Sequence, residues 1–496
     1  MKKRWSYFYF FLLILVICKL VYWLFTAPNP DEAYYWLWGK YPALSYHDHP
    51  GLQTWTQGLF HSVFGKSFFV LRLPAFICTA FIAFLYVKIL RKLNCKSDIK
   101  IVVLTIFSLP LLFLFTSFAW HDYMLITFCL SSSYFWVNYF TDVWDSKKGK
   151  TIDLLLAFVC IGLAVLCKYN AVFVAMGVLS TVVFNKPFHR VFKDYRVYCG
   201  ILLFLLIISP IFIWNLQNGN GSFKFNLQQR TLAPLLEGRF RGNIFGFLIG
   251  SIVLLTPTIW WAIFKSKTLQ INSQNDITVN SYAIVYQKLA KNIFLCSSLT
   301  FLFLSTFSVV LYYWNIPAYL LLLPLIVVFL QEQKPKILLF TLGYGAFVNV
   351  CIVIHFAILP LNSFLSNVED KDGAFHYGWE KIDQTIIQTI NTIPQKVQLF
   401  TTSYRSASLL SFQLNRKDIY SYSERFDQFD YWTNGRKYNS KVALILADDN
   451  ETINPELEEV VANISVIDTI AIEKLGYPIK KYYLFKGEIK KQYQYN

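Results

Sequence analysis

Apolar runs long enough to cross a bilayer recur through roughly the first 360 positions of this chain, and no other feature narrows its possible folds as much. A helix needs about 20 apolar residues to span hydrocarbon about 30 Å thick, because lipid offers the backbone no hydrogen-bond partners. The candidate spans are Tyr7–Phe25, Phe69–Leu90, Ile101–Phe118, Tyr123–Phe140, Leu154–Cys167, Ala171–Phe184, Gly200–Ile213, Ile244–Phe264, Ile293–Leu311, Ile316–Leu330 and Ile337–Phe356. They predict a polytopic α-helical membrane protein of about eleven spans. Met-Lys-Lys-Arg ahead of the first run has the charged start of a signal peptide. The run is too long for one and no small-residue cleavage site follows it, so it reads as an uncleaved first span.

At 496 residues the chain could hold about three soluble domains, but 55% hydrophobic against 15% charged residues argues against that. The character changes near Pro360, where the sequence becomes charged and amide-rich. The expected division is therefore a membrane domain over 1–357 and a small soluble α/β domain over 358–496. In that tail, Val397–Thr402, Val442–Leu446, Ile464–Ile470 and Tyr482–Phe485 read as strands, and Ile382–Ile393 and Arg405–Gln413 as helices.

A formal charge of +16 could point to nucleic acid, but the basic residues sit in short clusters between apolar runs and not along one soluble face. No nucleic-acid partner is expected. With the N-terminus inside, the inner loops hold Lys2-Lys3-Arg4, Lys88 to Lys100, Lys147 to Lys150, Lys186 to Arg196, Lys265 to Lys291, Lys334 and Lys336. The outer loops hold only Lys40, Lys66, Lys168, Lys224, Arg230, Arg239 and Arg241, a ratio of about three to one. The positive-inside rule then gives a multi-pass protein of the plasma (inner) membrane with a cytoplasmic N-terminus and an external or periplasmic C-terminal domain. The nine cysteines all precede the tail and form no CxxC pair, so they read as small apolar side chains.

Against this background the outer loop over 26–66 carries an unusual charge set. Asp31-Glu32 open it, and His47-Asp48-His49-Pro50 follow. Pro30 before Asp31 would suit a plain helix start, with negative charge at the N-terminal end of the dipole. A further acid, Asp122, falls on the same expected face between His121 and Tyr123. Lys168, in Leu-Cys-Lys-Tyr-Asn, stands between two runs so close together that it must lie near the hydrocarbon, where a lysine snorkels or takes an anionic partner. Arg72, early in the second span, raises the same question. Asp31, Glu32 and Asp122 are the candidate catalytic groups, and Lys168, His49 and Arg72 the candidate phosphate-binding cations. No cofactor is called for with certainty; Asp48 with His47 is the candidate site for a divalent metal.

The stretch NPDEAYYWLWGKYPALSYHDHPGL, followed by LRLPA, closely resembles the first-loop signature of bacterial membrane glycosyltransferases related to protein O-mannosyltransferases and to the aminoarabinose transferase that acts on lipid A. The resemblance continues through GLAVLCKYNAVF, SPIFIWNLQNGNGSFKF and YYWNIPAYL, and reaches GWEKI, SYRSASLLSFQL and RFDQFDYW in the tail. It implies a GT-C fold and an inverting transferase that moves a sugar from a polyprenyl-phosphate donor to a hydroxyl or phosphate of a glycolipid, lipid A or protein in the cell envelope. It also implies that Asp31 and Asp122 belong to the active site, that Asp48 and His49 correspond to the acidic and basic residues before the proline of the first loop, and that Lys168 holds the lipid phosphate. Gly51 after Pro50 and His121 before Asp122 depart from the common pattern and bear on substrate choice. A transporter or flippase without transferase chemistry is the alternative, but it would place charges near the midplane instead of at one face.

Overall fold

The computed structural model describes residues 2–94, 97–232, 234, 238, 242–265, 280–366, 373–450 and 452–494. Lys96, Arg239, Arg241 and Lys267, counted above for orientation, lie outside them. The chain divides into two compact units, one made of 1–19, 44–53 and 73–350, the other of 20–43, 54–72 and 351–496.

Among the described residues, ten α-helices lead through 2–217: α1 Lys2–Phe25, α2 Pro30–Lys40, α3 Leu52–Phe64, α4 Phe68–Leu93, α5 Ile99–Ser108, α6 Pro110–Phe115, α7 Asp122–Trp144, α8 Thr151–Cys167, α9 Val172–Phe184 and α10 Tyr195–Gln217. Four helices among the described residues are long and apolar enough to cross a membrane: Tyr7–Phe25, α4, α10 and Pro335–Ala357. Three bent pairs bring the number to as many as seven, and Ile99–Ser108 and Thr151–Cys167 are shorter apolar helices. Phe10, Leu13, Leu202, Leu206, Phe340 and Phe347 are each more than half exposed, as a surface facing lipid requires and one facing water does not.

Several expected spans are interrupted. Ile101–Phe118 breaks at Leu109, because Pro110 has no N–H to continue the ladder, and the freed Ser108 carbonyl accepts from Asn349 Nδ2 at 3.0 Å. Ile244–Phe264 is two helices, Ile244–Leu255 and Pro257–Lys265, bent by 97° where Thr256 takes φ 76° ahead of Pro257. Ile316–Leu330 likewise divides at a 74° bend between Tyr312–Tyr319 and Leu322–Gln333. On α1, the buried Lys19 Nζ donates to Phe113 O, Thr116 Oγ1 and Ser117 Oγ at 3.1, 2.6 and 2.8 Å. Lys19 therefore ties α1 to the C-terminal end of α6, where it meets the Phe113 carbonyl and the two hydroxyls that follow the helix. Gly177 lets α9 meet the helix Ser281–Leu304 backbone to backbone, since a Cβ there would stand 2.7 Å from Ile293 Cα.

The second unit holds a five-stranded sheet built from β1 Val397–Thr401, β2 Ile419–Ser421, β3 Val442–Asp448, β4 Val461–Lys474 and β5 Tyr477–Ile489, in the order β2-β1-β3-β5-β4. β1 pairs parallel with β2 and β3, and β1 is buried along its whole length, as a strand covered on both faces must be. β5 runs antiparallel to both β3 and β4. Leu475 and Gly476, at φ 52° and 81°, form the two-residue turn between β4 and β5, a geometry that matches strand twist and extends both strands beyond the predicted segments. The predicted tail helices are present as Trp379–Thr392 and Tyr404–Gln413. In the same unit α2 crosses α3 at Gly39 and Gly58, where a Cβ on Gly39 would lie 2.8 Å from the Gly58 nitrogen. α2 also packs against Tyr404–Gln413.

Candidate functional site

In the first unit, α8 ends at Cys167 and its C-cap Lys168 adopts extended backbone (φ −160°, ψ 138°) before the short turn Tyr169–Ala171 and α9. This break turns the lysine inward. Its Nζ donates to both carboxylate oxygens of Asp122, at 2.9 and 3.0 Å, and lies 4.7 Å from the centre of the Tyr313 ring. Asp122 is the first residue of α7, where the helix dipole favours an anion. Both side chains are less than a tenth exposed, so each charge depends on the other.

Lys168 also borders a cavity of about 450 Å³. Its polar lining includes His49, Asn226, Arg230 and Tyr313, and Phe173, Phe204, Ile208, Phe223, Phe301 and Leu304 make apolar wall. Arg230 comes from the π-helical stretch Lys224–Leu232, and its guanidinium lies 4.5 Å from the Trp314 ring centre. Asn226 Nδ2 donates to the Asp48 carbonyl at 3.2 Å, and Asn170 Nδ2 to the Trp314 carbonyl at 2.9 Å. The cavity thus places cations beside an apolar wall in one space.

The loop before α3 folds as a small turn in which Ser45 bridges Pro50 and Tyr46 N–H donates to His49 O at 3.2 Å. The His47 ring stacks near Phe225 at 4.6 Å, while His49 faces His121 at 4.5 Å. Burial, reinforced by the Lys168 charge, holds the His121 ring well below the usual histidine range. Among the described residues no group of three or more His, Cys, Asp or Glu side chains is placed to hold a metal ion. Asp48 and His47 stand side by side in this turn, with the His47 ring packed near Phe225.

Asp31, Glu32 and Arg72 belong to the second unit. Asn29 caps α2 with its side chain on Asp31 N–H at 2.9 Å, and Glu32 Oε2 returns to the Asn29 N–H at 2.9 Å, a capping box with Pro30 in the first turn. Glu32 also accepts from Arg72 Nε and Nη2 at 2.9 and 2.6 Å. The remaining Arg72 donors reach Tyr22 O, Thr26 O, Thr26 Oγ1 and Ala27 O. Both charged side chains are wholly buried. Asp31 is different: it is half-buried and accepts from the Tyr404 hydroxyl at 3.4 Å.

The sequence reasoning placed Lys168, His49 and Asp122 among the site residues, and the structure brings these three into one unit. It missed Arg230, Tyr313 and Tyr404. All three stand in or beside segments that carry the resemblance, but none interrupts an apolar run in the way that singled out Lys168.

With this geometry in place, the chain is a polytopic α-helical membrane protein whose fold is like that of solved ArnT structures. Residues 48–214 match the profile of a family described as dolichyl-phosphate-mannose-protein mannosyltransferase. Among solved structures the fold is similar to that of ArnT from Cupriavidus metallidurans in the apo state, with a TM-score of 0.61 at 12% identity over 98% of both chains. It is similar also to the same protein bound to undecaprenyl phosphate, with a TM-score of 0.58 at 11% identity over 98% of this chain and 99% of that one. No curated protein sequence matches the chain.

Proposed function

We propose that this protein is an inverting glycosyltransferase that moves a sugar from a polyprenyl-phosphate donor to a hydroxyl or phosphate of a glycolipid or protein acceptor. The observation that carries the reading is the cavity in which Lys168, Arg230 and Tyr313 adjoin an apolar wall, since a lipid phosphate needs fixed positive charge for its head and a dry surface for its tail. That ArnT is described bound to undecaprenyl phosphate supports the same donor class.

In this reading Asp31 accepts the proton of the incoming hydroxyl, whose oxygen bonds to the anomeric carbon as the sugar–phosphate C–O bond breaks on the opposite side. An alcohol is a weak nucleophile at neutral pH, and a positioned base supplies about 10² to 10⁴-fold. The departing phosphate keeps the bonding electrons and already carries charge, so it needs cations more than an acid. Lys168 and Arg230 supply them, with His49 as a hydrogen-bonding partner. Asp122 holds Lys168 in place. Glu32 and Arg72, expected as a catalytic acid and a phosphate ligand, are assigned a positioning role instead, because their polar atoms are committed to each other and to the backbone. The loop charges favour a site on the outer face of the plasma membrane, with the membrane domain over 1–357 and the tail over 358–496 outside.

The test is transfer from a radiolabelled polyprenyl-phosphate sugar by purified protein in detergent, with envelope glycolipids and glycoproteins of cells with and without the chain as the acceptor screen. Absence of any labelled product with every donor sugar offered rejects the transferase reading.

A further inference from the structure

We propose that the C-terminal domain is part of the catalytic apparatus, with Tyr404 acting as the positioning residue for Asp31. This rests on the reading of Asp31 as the base. The first turn of α2 and the first turn of the helix Tyr404–Gln413 lie in one unit, and the Tyr404 hydroxyl donates to Asp31 Oδ1 at 3.4 Å. The phenol is framed on several sides. Tyr34, one turn along α2 from Asp31, packs on it at 4.9 Å between ring centres, and the Arg405 and Arg425 guanidinium carbons lie 5.9 and 5.5 Å from its ring centre. Tyr34 is itself anchored, stacking on Phe429 and accepting from the Gln428 N–H at 2.8 Å.

The chemistry follows from the donor. Burial, then the Asp31 charge, raises the Tyr404 hydroxyl above the ordinary phenol range, so it stays protonated and can only donate to the carboxylate. A donor bonded to the charged form favours that form, which keeps Asp31 deprotonated and aimed while the acceptor hydroxyl enters. Other charged groups also lie near this acid. Glu32, next to it on α2, is tied to Arg72. Arg405 and Arg425 come from the tail, and both of their charges act on the Tyr404 hydroxyl, to which Arg405 also hydrogen-bonds. His376 faces the Ala27 carbonyl from another segment of the tail.

A tyrosine that merely fills the contact between loop helix and tail would be replaced by phenylalanine without kinetic effect, because the ring packing is kept. The experiment compares Tyr404→Phe and Arg425→Gln with the parent protein, reading kcat, donor KM and the pH profile of kcat; Asp31→Asn is the reference. Arg425 is exposed, so its replacement leaves the core intact. We expect Tyr404→Phe to lower kcat about tenfold with donor KM unchanged and to move the acidic limb of the profile to higher pH by up to about one unit, since a carboxylate that loses a donor is harder to ionise. Arg425→Gln moves the limb in the same direction by less. An inactive Asp31→Asn together with unshifted profiles in both tail variants overturns the role of the tail alone. Turnover surviving in Asp31→Asn overturns the base reading and the tail proposal together.

Discussion

The guanidinium of Arg72 meets the carboxylate of Glu32 side-on, at 2.9 Å from Nε and 2.6 Å from Nη2, with both side chains sealed from solvent. Through it, the start of α4 is tied to the capping box that opens α2. Removing one partner leaves the other as an uncompensated buried charge, at a cost of about 3–5 kcal/mol. Glu32→Ala should therefore lower the thermal unfolding midpoint of the detergent-purified protein sharply, while Arg72→Met combined with Glu32→Met should recover most of the loss. A single variant as stable as the parent would refute the strut.

For Asp31 the expectation is opposite in kind. Asp31→Asn keeps the size of the side chain and can still accept from Tyr404, so the protein should fold and insert normally. Its transfer rate from a labelled donor should fall by at least about 10²-fold. Turnover within a few-fold of the parent would remove the base assignment.

Lys168 requires a double variant, because Lys168→Gln alone strands Asp122. Losing a hydrogen bond to a charged group costs about 1.5–3 kcal/mol, which corresponds to about 10- to 150-fold in donor KM. Lys168→Gln with Asp122→Asn should restore the stability lost in the single variant and leave the donor KM raised. Recovery of donor use in the pair would mean that Lys168 serves only to neutralise Asp122.

His376 makes stability depend on pH. Burial lowers its ring to about 4 from the ordinary 6.5, so the unfolded chain binds the proton more readily than the folded one. The contribution is complete above pH 6.5, declines as the pH falls, and is gone by about pH 4; the gap corresponds to about 3 kcal/mol. The unfolding midpoint should drop between pH 7.5 and pH 5, and His376→Asn should flatten that dependence. An equal slope in the variant would show that other groups govern it.

Orientation can be read at the turn between β4 and β5. Leu475 is 70% exposed, and the sequence has no cysteine after Cys351. Leu475→Cys should become labelled by a membrane-impermeant maleimide in spheroplasts above the level of the parent. Labelling only after lysis would put the tail inside and the proposed site on the wrong face.

What the sequence disclosed follows from what hydropathy measures. Apolar runs marked the helices well, but Pro110 and Pro257 break two of them without lowering their hydropathy, so a count of runs does not give a count of straight helices. In the tail, β3 was legible from a continuous apolar string and β1 from a short β-prone one. The length of β4 and β5 was not, because it depends on Leu475 taking a left-handed conformation that side chains other than glycine rarely adopt. Among charges, Lys168 could be found because it stands where lysine is costly. Arg230 and Tyr404 could not, since an arginine in a polar loop and a tyrosine at a helix start are ordinary in isolation and acquire meaning only from Trp314 and Asp31 beside them.

A pocket of 450 Å³ is of the size that suits a drug-like molecule, whereas a polyprenyl carrier runs to dozens of carbons. For the proposed donor, such a pocket would hold only the isoprene units nearest the headgroup. Selection among carriers would rest on the shape and saturation of those leading units, so that truncated, water-dispersible analogues should compete with the full-length lipid on nearly equal terms.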